Sequence, residues 1–174
     1  MATLSKSENT IFREGPVIFI VTGTQAPFDR LLLILDKWAS NQEKYTVIAQ
    51  MANSKMHFKN MHCFNYLEPD VFNEYFINAD VIIGHAGIGT ILTALENEKK
   101  LVVFPRRVKY SEHRNDHQLH TAIGFEKLDL INVAYNENEL VRYLDNPHAI
   151  AEKKRIDNKA ERRLIDALCS FVNK

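Results

Sequence analysis

The chain has 174 residues, of which 45% are hydrophobic, and this size and composition are typical of one folded domain with its own core. Its 22 Lys and Arg residues balance 22 Asp and Glu residues, so the formal net charge of zero gives no indication of a nucleic-acid partner. No apolar run approaches the roughly 20 residues of a membrane-spanning helix, and the sequence therefore predicts no membrane span.

The chain begins with a polar segment, MATLSKSENTIFREG, that lacks the apolar core of a secretory signal. We expect residues 1–15 to form a polar leader, a candidate for disorder, and residues 16–174 to form the domain. Cys63 and Cys169 have no metal-ligand spacing and are interpreted as reduced, buried thiols. The protein is therefore predicted to be cytoplasmic.

Short apolar segments recur along the domain and predict about six strands. In chain order they are VIFIVTG, YTVIAQ, MHCFNYL, DVIIG, LVVFP and LINVAY. Most of these runs are continuous and do not alternate with polar residues, which favours strands that are covered on both faces of a parallel sheet.

Segments with helical spacing of apolar residues separate these strands. They are LLLILDKW, DVFNEYFINA after Pro69, GTILTALENE, RNDHQLHTAIGFEKL, and ENELVRYLDN with Asn136 as its predicted N-cap. A last helix is predicted from Pro147, with one face formed by Ile156, Ala160, Leu164 and Leu168. The alternation of strands and helices predicts an α/β fold, a doubly wound, Rossmann-like parallel sheet with right-handed crossovers.

Two loops that follow strands combine glycine with polar side chains. After VIFIV, Gly23 permits a tight turn beside the side chains of Thr22, Thr24 and Gln25, and this pattern fits either a phosphate cradle or an ordinary strand-to-helix turn. In HAGIGT, two glycines stand where a helix start exposes unpaired N–H groups, and a threonine adds a hydroxyl group. This second pattern fits a diphosphate or close helix–sheet packing, but it is not the dinucleotide-binding fingerprint.

A third loop, PRRVKYSEHRNDHQLH, is long for its place between a strand and a helix. His113, His117 and His120 have helical spacing, but no carboxylate or cysteine pattern completes a ligand set, so no metal site is predicted. Arg106 and its neighbouring arginines fit either phosphate contacts or a solvated face. All three loops would lie at the carboxyl edge of the sheet, which predicts one polar site for a nucleotide-like anion.

The segments VIFIVTGTQAPFDRLL, ADVIIGHAGIGTILTALENEKKLVVFPRR and SEHRNDHQ together resemble the C-terminal, donor-binding half of the family 28 glycosyltransferases. More narrowly, they resemble the small one-domain members of the bacterial PssE type. The resemblance implies the C-terminal half of a GT-B fold and the transfer of a sugar, with inversion, from a UDP-sugar to a lipid-linked acceptor. The resemblance also implies a role in polysaccharide or glycoconjugate biosynthesis, and the implied transfer reaction requires no metal cofactor.

The same resemblance implies a partner. Members of this type complete their active site with a separate, membrane-bound, acceptor-binding subunit, so the chain is expected at the inner face of a membrane through that partner. A half-enzyme must dock on something, and we expect an exposed apolar patch on the carboxyl edge of the sheet or on the last helix. Two alternatives stay open, a non-catalytic nucleotide-sugar-binding regulatory subunit and a self-sufficient transferase that acts as a homo-oligomer.

The resemblance also implies roles for particular residues. Thr24 and Gln25 would approach the diphosphate, the HAGIGT segment would hold the nucleotide phosphates, and the NDHQ segment would read the hydroxyl groups of the donor sugar. The candidate nucleotide-sugar-binding residues are Thr22, Gly23, Thr24, Gln25, His85, Ala86, Gly87, Ile88, Gly89, Thr90, Thr93, Glu96, Arg106, Asn115, Asp116, His117 and Gln118.

The ribose contact of the family has two candidate positions on the predicted helix after HAGIGT. Thr93 stands where many family members carry a ribose-binding glutamate, and Glu96, one helical turn further on, either reaches that ribose or is a solvated surface residue.

An inverting transferase needs a general base. The resemblance places that base in the acceptor half, and within this chain His117 is the candidate catalytic group, with a donor contact as its alternative role.

Overall fold

The computed structural model describes residues 15–153. The predicted leader, apart from Gly15, and the predicted last-helix face of Ile156, Ala160, Leu164 and Leu168 lie outside the described residues, as does Cys169. Cys63 is a free thiol and is only half-buried.

Strands and helices alternate as the sequence predicts. The strands are β1 (Val17–Val21), β2 (Thr46–Gln50), β3 (His62–Phe64), β4 (Val81–Gly84), β5 (Leu101–Val103) and β6 (Asn132–Val133). The α-helices are α1 (Asp29–Ala39), α2 (Pro69–Asn78), α3 (Ile88–Glu96), α4 (His117–Lys127) and α5 (Glu137–Asp145). Pro69 opens α2, and the side chain of Asn136 accepts a hydrogen bond from the Glu139 N–H at the start of α5, so both predicted helix starts are confirmed.

The six strands form one parallel sheet in the order β3-β2-β1-β4-β5-β6, which confirms the doubly wound, Rossmann-like prediction. The chain builds outward from β1 in one direction as far as β3 and then returns to place β4 on the other side of β1. The ends of β1 and β4 therefore lie side by side, with Val21 paired to Gly84. In such sheets a ligand-binding crevice opens at this reversal, outside the carboxyl ends of the strands.

Apolar cores lie on both faces of the sheet, which explains the continuous apolar runs of the strands. Phe19 of β1 faces α2, where its ring packs against Phe72, Tyr75 and Phe76. Ile18 and Ile20 of the same strand belong to the opposite core, which α1 and α5 cover. Successive side chains of one strand thus fill two cores, so every position in β1 must be apolar.

Two helix boundaries differ from the sequence prediction. The fourth helix begins at His117 and not at Arg114, because Asp116 Oδ1 accepts a hydrogen bond from the Val108 N–H at 2.9 Å and holds this stretch in the loop. The chain makes only a short 3-10 turn at Pro147–Ala149, so the prediction of a continuous helix from Pro147 is wrong. Ile150 turns into the core beside α1 and α5, and the following backbone continues without helix as far as Lys153.

None of the helices in this part of the chain, residues 15–153, has the length and apolar character needed to cross a bilayer.

Candidate functional site

Three loops meet at the carboxyl edge of the sheet, where the sequence predicts one polar site. The first loop, residues 22–28, follows β1; the second loop, residues 85–87, follows β4; and the third loop, residues 104–116, follows β5. Contacts between these loops bring most of the candidate residues into one region.

The imidazole of His85 joins the first and second loops. Its Nδ1 lies 3.3 Å from the carbonyl oxygen of Val21, and its backbone N–H donates to the same oxygen at 3.2 Å. A Cβ atom on Gly23 would lie 3.0 Å from His85 Nε2, and one on Gly87 only 2.3 Å from it. The two glycines therefore leave the space that the imidazole occupies, and Gly23 also has a positive φ of 84° that disfavours other residues.

The surroundings of His85 keep its ring neutral at pH 7. Its pKa is lowered to about 4, mainly by burial and also by the nearby charges of Arg106, His113 and His117, while the hydrogen bond to Val21 acts in the opposite direction. Because Nδ1 faces a carbonyl oxygen, Nδ1 carries the ring proton and Nε2 carries the lone pair, between Gly23 and Gly87.

The guanidinium of Arg106 joins the third loop to the first. Arg106 is only 3% exposed, and its Nη atoms donate to the carbonyl oxygens of Pro27 at 2.6 Å, Ala26 at 2.7 Å and Thr22 at 2.8 Å. The guanidinium carbon also lies 4.5 Å from the centre of the Phe28 ring. These contacts show that Arg106 holds the first loop; a direct contact with a ligand stays a prediction.

A second arginine fixes the third loop to α1. The guanidinium of Arg30 pairs with both carboxylate oxygens of Glu112, at 2.6 and 2.8 Å, and also donates to the carbonyl oxygen of Pro105. It lies between the rings of Phe104 and Tyr110, at 4.3 and 4.6 Å from their centres. This bidentate, partly buried pair is a stronger tether than an exposed ion pair.

The edge formed by these loops presents hydrogen-bond donors. Within residues 15–153, the backbone N–H groups of Gly23, Thr24 and Gln25 make no hydrogen bond to the protein. The N–H groups of the first turn of α3 are also free of protein acceptors, since the first helical bond there runs from Ile91 to Gly87. Free N–H groups and the positive end of a helix dipole are suited to bind an anion.

The remaining candidates divide into those at this edge and those turned away from it. Asn115 Oδ1 lies 2.5 Å from His117 Nδ1 at the start of α4, and both side chains are exposed. The Thr22 hydroxyl, in contrast, donates to the buried Gln50 carbonyl oxygen. Buried Gln118 accepts a hydrogen bond from the Arg106 N–H, so it acts on the backbone of the third loop.

Candidates on α3 are spread along the helix. Ile88 and Gly89 are exposed at its start, next to the partly exposed Thr90, while Ala86 just before it is buried. The Thr93 hydroxyl donates to the Gly89 carbonyl oxygen of its own helix at 2.9 Å. Glu96 is exposed at the other end of α3, about 12 Å along the axis from its start.

Some residues of the site have no clear signal in the sequence. His113 packs edge-to-face against His117, with ring centres 4.3 Å apart, and its buried Nδ1 has no hydrogen-bond partner among the described residues. Arg30 and Glu112 are separated by 82 residues, and only the folded sheet brings them together. No group of three or more metal-ligating side chains is present in the part of the chain that the structure describes.

A cavity of about 380 Å³ lies at the opposite, amino edge of the sheet, where Pro16, Asp80 and Lys99 line it. It shares no residue with the three loops. At the candidate site itself, Thr24 and Gln25 of the first loop and Ile88 and Gly89 of α3 are exposed.

Comparison with known proteins identifies the family. The family described as "Glycosyltransferase family 28 C-terminal domain" matches residues 17–166 of this chain. This chain belongs to that family. The family 28 assignment confirms the resemblance that the HAGIGT and NDHQ segments carry.

One curated relative is a transferase subunit by name, and one solved structure of similar length has the same fold. The chain is 32% identical over 101 residues to the UDP-N-acetylglucosamine transferase subunit ALG13 of Candida albicans, in a match that covers 58% of this chain and 30% of that protein. The chain thus matches less than a third of that relative's length. An NMR structure of ALG13 is similar with a TM-score of 0.57 at 17% identity, over 89% of this chain and 95% of that one.

A larger enzyme contains the same fold as part of its chain. The glycotransferase of kitacinnamycin matches with a TM-score of 0.60 at 11% identity, over 99% of this chain but only 42% of that one. This family 28 chain therefore has the fold of the C-terminal half of a GT-B glycosyltransferase.

Replacing either of two neighbouring glycines by alanine should have opposite effects. Gly87→Ala places a Cβ within 2.3 Å of His85 Nε2 and must displace the imidazole, so we expect the free energy of unfolding to fall by about 1–3 kcal/mol. The Cβ of Gly89→Ala would lie within 4 Å of no atom beyond its chain neighbours and the backbone of its own helix, and alanine is favoured over glycine in a helix. This variant should therefore raise the free energy of unfolding by about 0.5–1 kcal/mol. Urea unfolding of both variants measures this difference; equal stabilities would show that His85 does not need the space at Gly87.

The neutral state of His85 should make stability depend on pH. An unfolded histidine binds its proton near pH 6.5, while the folded chain accepts it only near pH 4, so stability falls as the pH falls through this window. The two pKa values correspond to a loss of about 3 kcal/mol between pH 7 and pH 4. Urea unfolding at several pH values should show this loss reduced in His85→Gln and retained in His148→Gln, which removes an exposed histidine. Equal pH profiles in the two variants would contradict the buried neutral imidazole.

Proposed function

We propose that this chain is the donor-binding subunit of an inverting glycosyltransferase that takes a sugar from a UDP-sugar and transfers it to a lipid-linked acceptor in polysaccharide or glycoconjugate biosynthesis. One observation carries the proposal most directly. In a family 28 C-terminal domain, the free N–H groups of the first loop and of the α3 start meet at the reversal point of the sheet. The name of the Candida albicans relative, a UDP-N-acetylglucosamine transferase subunit, supports uridine diphosphate as the carrier.

The charges around the site favour a diphosphate. The Glu112 carboxylate is paired with Arg30, and Asp116 accepts the Val108 N–H, so these two acids are already engaged. Asp29 accepts the hydroxyl proton of Ser54 at 2.6 Å. The carboxylate oxygens of these acids thus bind protein donors, and the edge offers free amide donors backed by the buried guanidinium of Arg106 to a negatively charged ligand.

These donors supply the chemistry that a departing diphosphate needs. In the proposed transfer, the bond between the sugar's anomeric carbon and the diphosphate oxygen breaks while the acceptor oxygen bonds to the opposite face of that carbon. Negative charge develops on the diphosphate, and N–H groups that are already oriented stabilise it without reorganisation. The acceptor's hydroxyl proton passes to a general base, which completes the balance of the step.

His117 is the proposed base within this chain. With Asn115 Oδ1 as the acceptor for Nδ1–H, the lone pair of His117 lies on Nε2. Burial lowers the pKa of His117, and the neighbouring charges of His113 and His120 lower it further, so the ring is neutral at pH 7 and can accept a proton. A base on the acceptor-binding partner is the alternative, and His117 then contacts the donor sugar.

Exposed apolar side chains around the site support a partner. Eight large apolar side chains are exposed in the described part of the chain, and five of them lie on or next to loops at the carboxyl edge. These five, the apolar rim, are Met56, Tyr66, Ile88, Val108 and Tyr110. The rim is the patch that a half-enzyme requires, and we propose that it contacts a membrane-anchored, acceptor-binding subunit.

Titration with nucleotides tests the donor site. We expect calorimetry to show that the chain binds UDP in preference to GDP and NAD. Gly89→Val fills open space beside the α3 start and should weaken UDP binding at least about tenfold, since one lost charge-assisted hydrogen bond has this magnitude. Asn97→Val, at the far end of α3, is the matched control. Equal affinity for UDP and GDP, or wild-type affinity in Gly89→Val, would refute this placement of a uridine diphosphate.

Turnover with and without the partner tests the subunit role. We expect sugar transfer only when the chain is mixed with a membrane-anchored acceptor-binding subunit. Tyr66→Ala, in the apolar rim, should reduce that transfer about tenfold, whereas Ile77→Ala, equally exposed at the end of α2, should not. Turnover by the chain alone would favour the homo-oligomeric enzyme, and donor binding without transfer in any mixture would favour the regulatory subunit.

A further inference from the structure

We propose that Arg106 is the positioning residue of the donor site: its buried guanidinium holds the first loop, turns the Gly23 N–H outward and places a fixed positive charge behind the loop without touching the ligand. The inference rests on the proposed function, because it concerns how the same site binds a diphosphate. Arg106, a buried residue of the third loop, would thus control how tightly the first loop binds an anion.

The contacts of Arg106 leave its Nη groups no capacity for a ligand. Nη1 donates to the carbonyl oxygens of Pro27 and Glu112, and Nη2 donates to those of Thr22 and Ala26. Four N–H bonds thus meet four carbonyl oxygens. The ring of Phe28 covers the guanidinium at 4.5 Å, and the residue is 3% exposed. A ligand at the surface of the loop is therefore separated from the guanidinium by the loop itself.

One of these carbonyl contacts fixes the direction of the Gly23 N–H. The C=O and N–H of a trans peptide point in opposite directions, and the described chain has no cis peptide bond. Because the Thr22 carbonyl points at Arg106, the N–H of Gly23 points away from it. The Ala26 carbonyl belongs to the peptide bond before Pro27, which has no N–H group, so this contact holds the loop without orienting a donor.

The charge of Arg106 is permanent and only partly compensated. A guanidinium stays protonated at any physiological pH. The acids that face it are Glu112 and Asp29, and these already bind Arg30 and Ser54 respectively. His85, His113 and His117 are the other titratable groups of the cluster, and none of them supplies a negative charge. The Arg106 guanidinium is therefore a positive charge held directly against the inner side of the first loop, and it favours a diphosphate at the loop's outer side.

Three variants separate charge from loop geometry. Arg106→Lys keeps the charge but cannot bind four carbonyl oxygens, and Arg106→Gln keeps two N–H donors but loses the charge. Arg142→Gln removes one exposed positive charge from α5 and is the control for net charge. Calorimetry with UDP and with inorganic pyrophosphate gives the affinities, NMR titration gives the pKa of His85, and far-UV circular dichroism verifies the fold.

The expected order of affinities is wild type, then Arg106→Lys, then Arg106→Gln. We expect the affinity for both ligands to fall by about two- to fivefold in the lysine variant, which loses carbonyl contacts but keeps the charge. We expect a fall of at least about tenfold in the glutamine variant, which loses the charge as well. The pKa of His85 should rise in Arg106→Gln and stay near the wild-type value of about 4 in Arg106→Lys. Arg142→Gln should match the wild type.

Several results would overturn the inference. Equal losses in the lysine and glutamine variants, with His85 titrating alike in both, would show a purely structural role. If Arg106→Gln does not fold, Arg106→Lys decides alone: wild-type affinity or a loss of about tenfold or more contradicts the inference, and a loss between these limits supports it. A wild type that binds pyrophosphate but not UDP refutes the proposed nucleotide while the pyrophosphate series still tests Arg106. A wild type that binds neither overturns both.

Discussion

The site depends on one imidazole that fits between two glycines. His85 fills the space left by the absent side chains of Gly23 and Gly87 and thereby holds the ends of β1 and β4 at a fixed separation. A smaller side chain at position 85 would leave a void, and a larger one at either glycine would collide with the ring. The HAGIGT glycines are therefore not interchangeable: Gly87 is required by packing, whereas Gly89 faces open space where a ligand can approach the backbone.

The three loops also distribute charge in a consistent way. Carboxylates near the edge are engaged by Arg30, by Ser54 and by a backbone N–H, while the carbonyl oxygens of the first loop are engaged by Arg106. Acceptors are thus turned inward and donors outward. An anion is the ligand class that this polarity favours, and a cation would meet few free acceptors.

Fold and site differ in how far the sequence predicts them. Continuous apolar runs predicted the parallel sheet because each strand residue contributes to one of two cores, as Phe19 and Ile20 do. The site region was predicted because the ends of parallel strands meet at one edge. The orientation of Arg106 was not predictable, since three of its four acceptors are backbone carbonyls 79 to 84 residues away that carry no sequence signal. The short turn at Pro147 was missed because burial of Ile150 outweighs the local helical pattern.

An open donor site explains why a partner would matter for catalysis. Amide donors and helix dipoles stabilise charge weakly in water, where the dielectric constant is high, and far more strongly where water is excluded. Along residues 15–153 no element covers the first loop or the start of α3, and Gly89 and Thr24 are exposed. A partner seated on the apolar rim would remove water from the same groups that we propose to contact the diphosphate. Binding of the partner and stabilisation of the leaving group would then be coupled through solvent exclusion, so a chain that binds its donor alone could still need the partner for transfer.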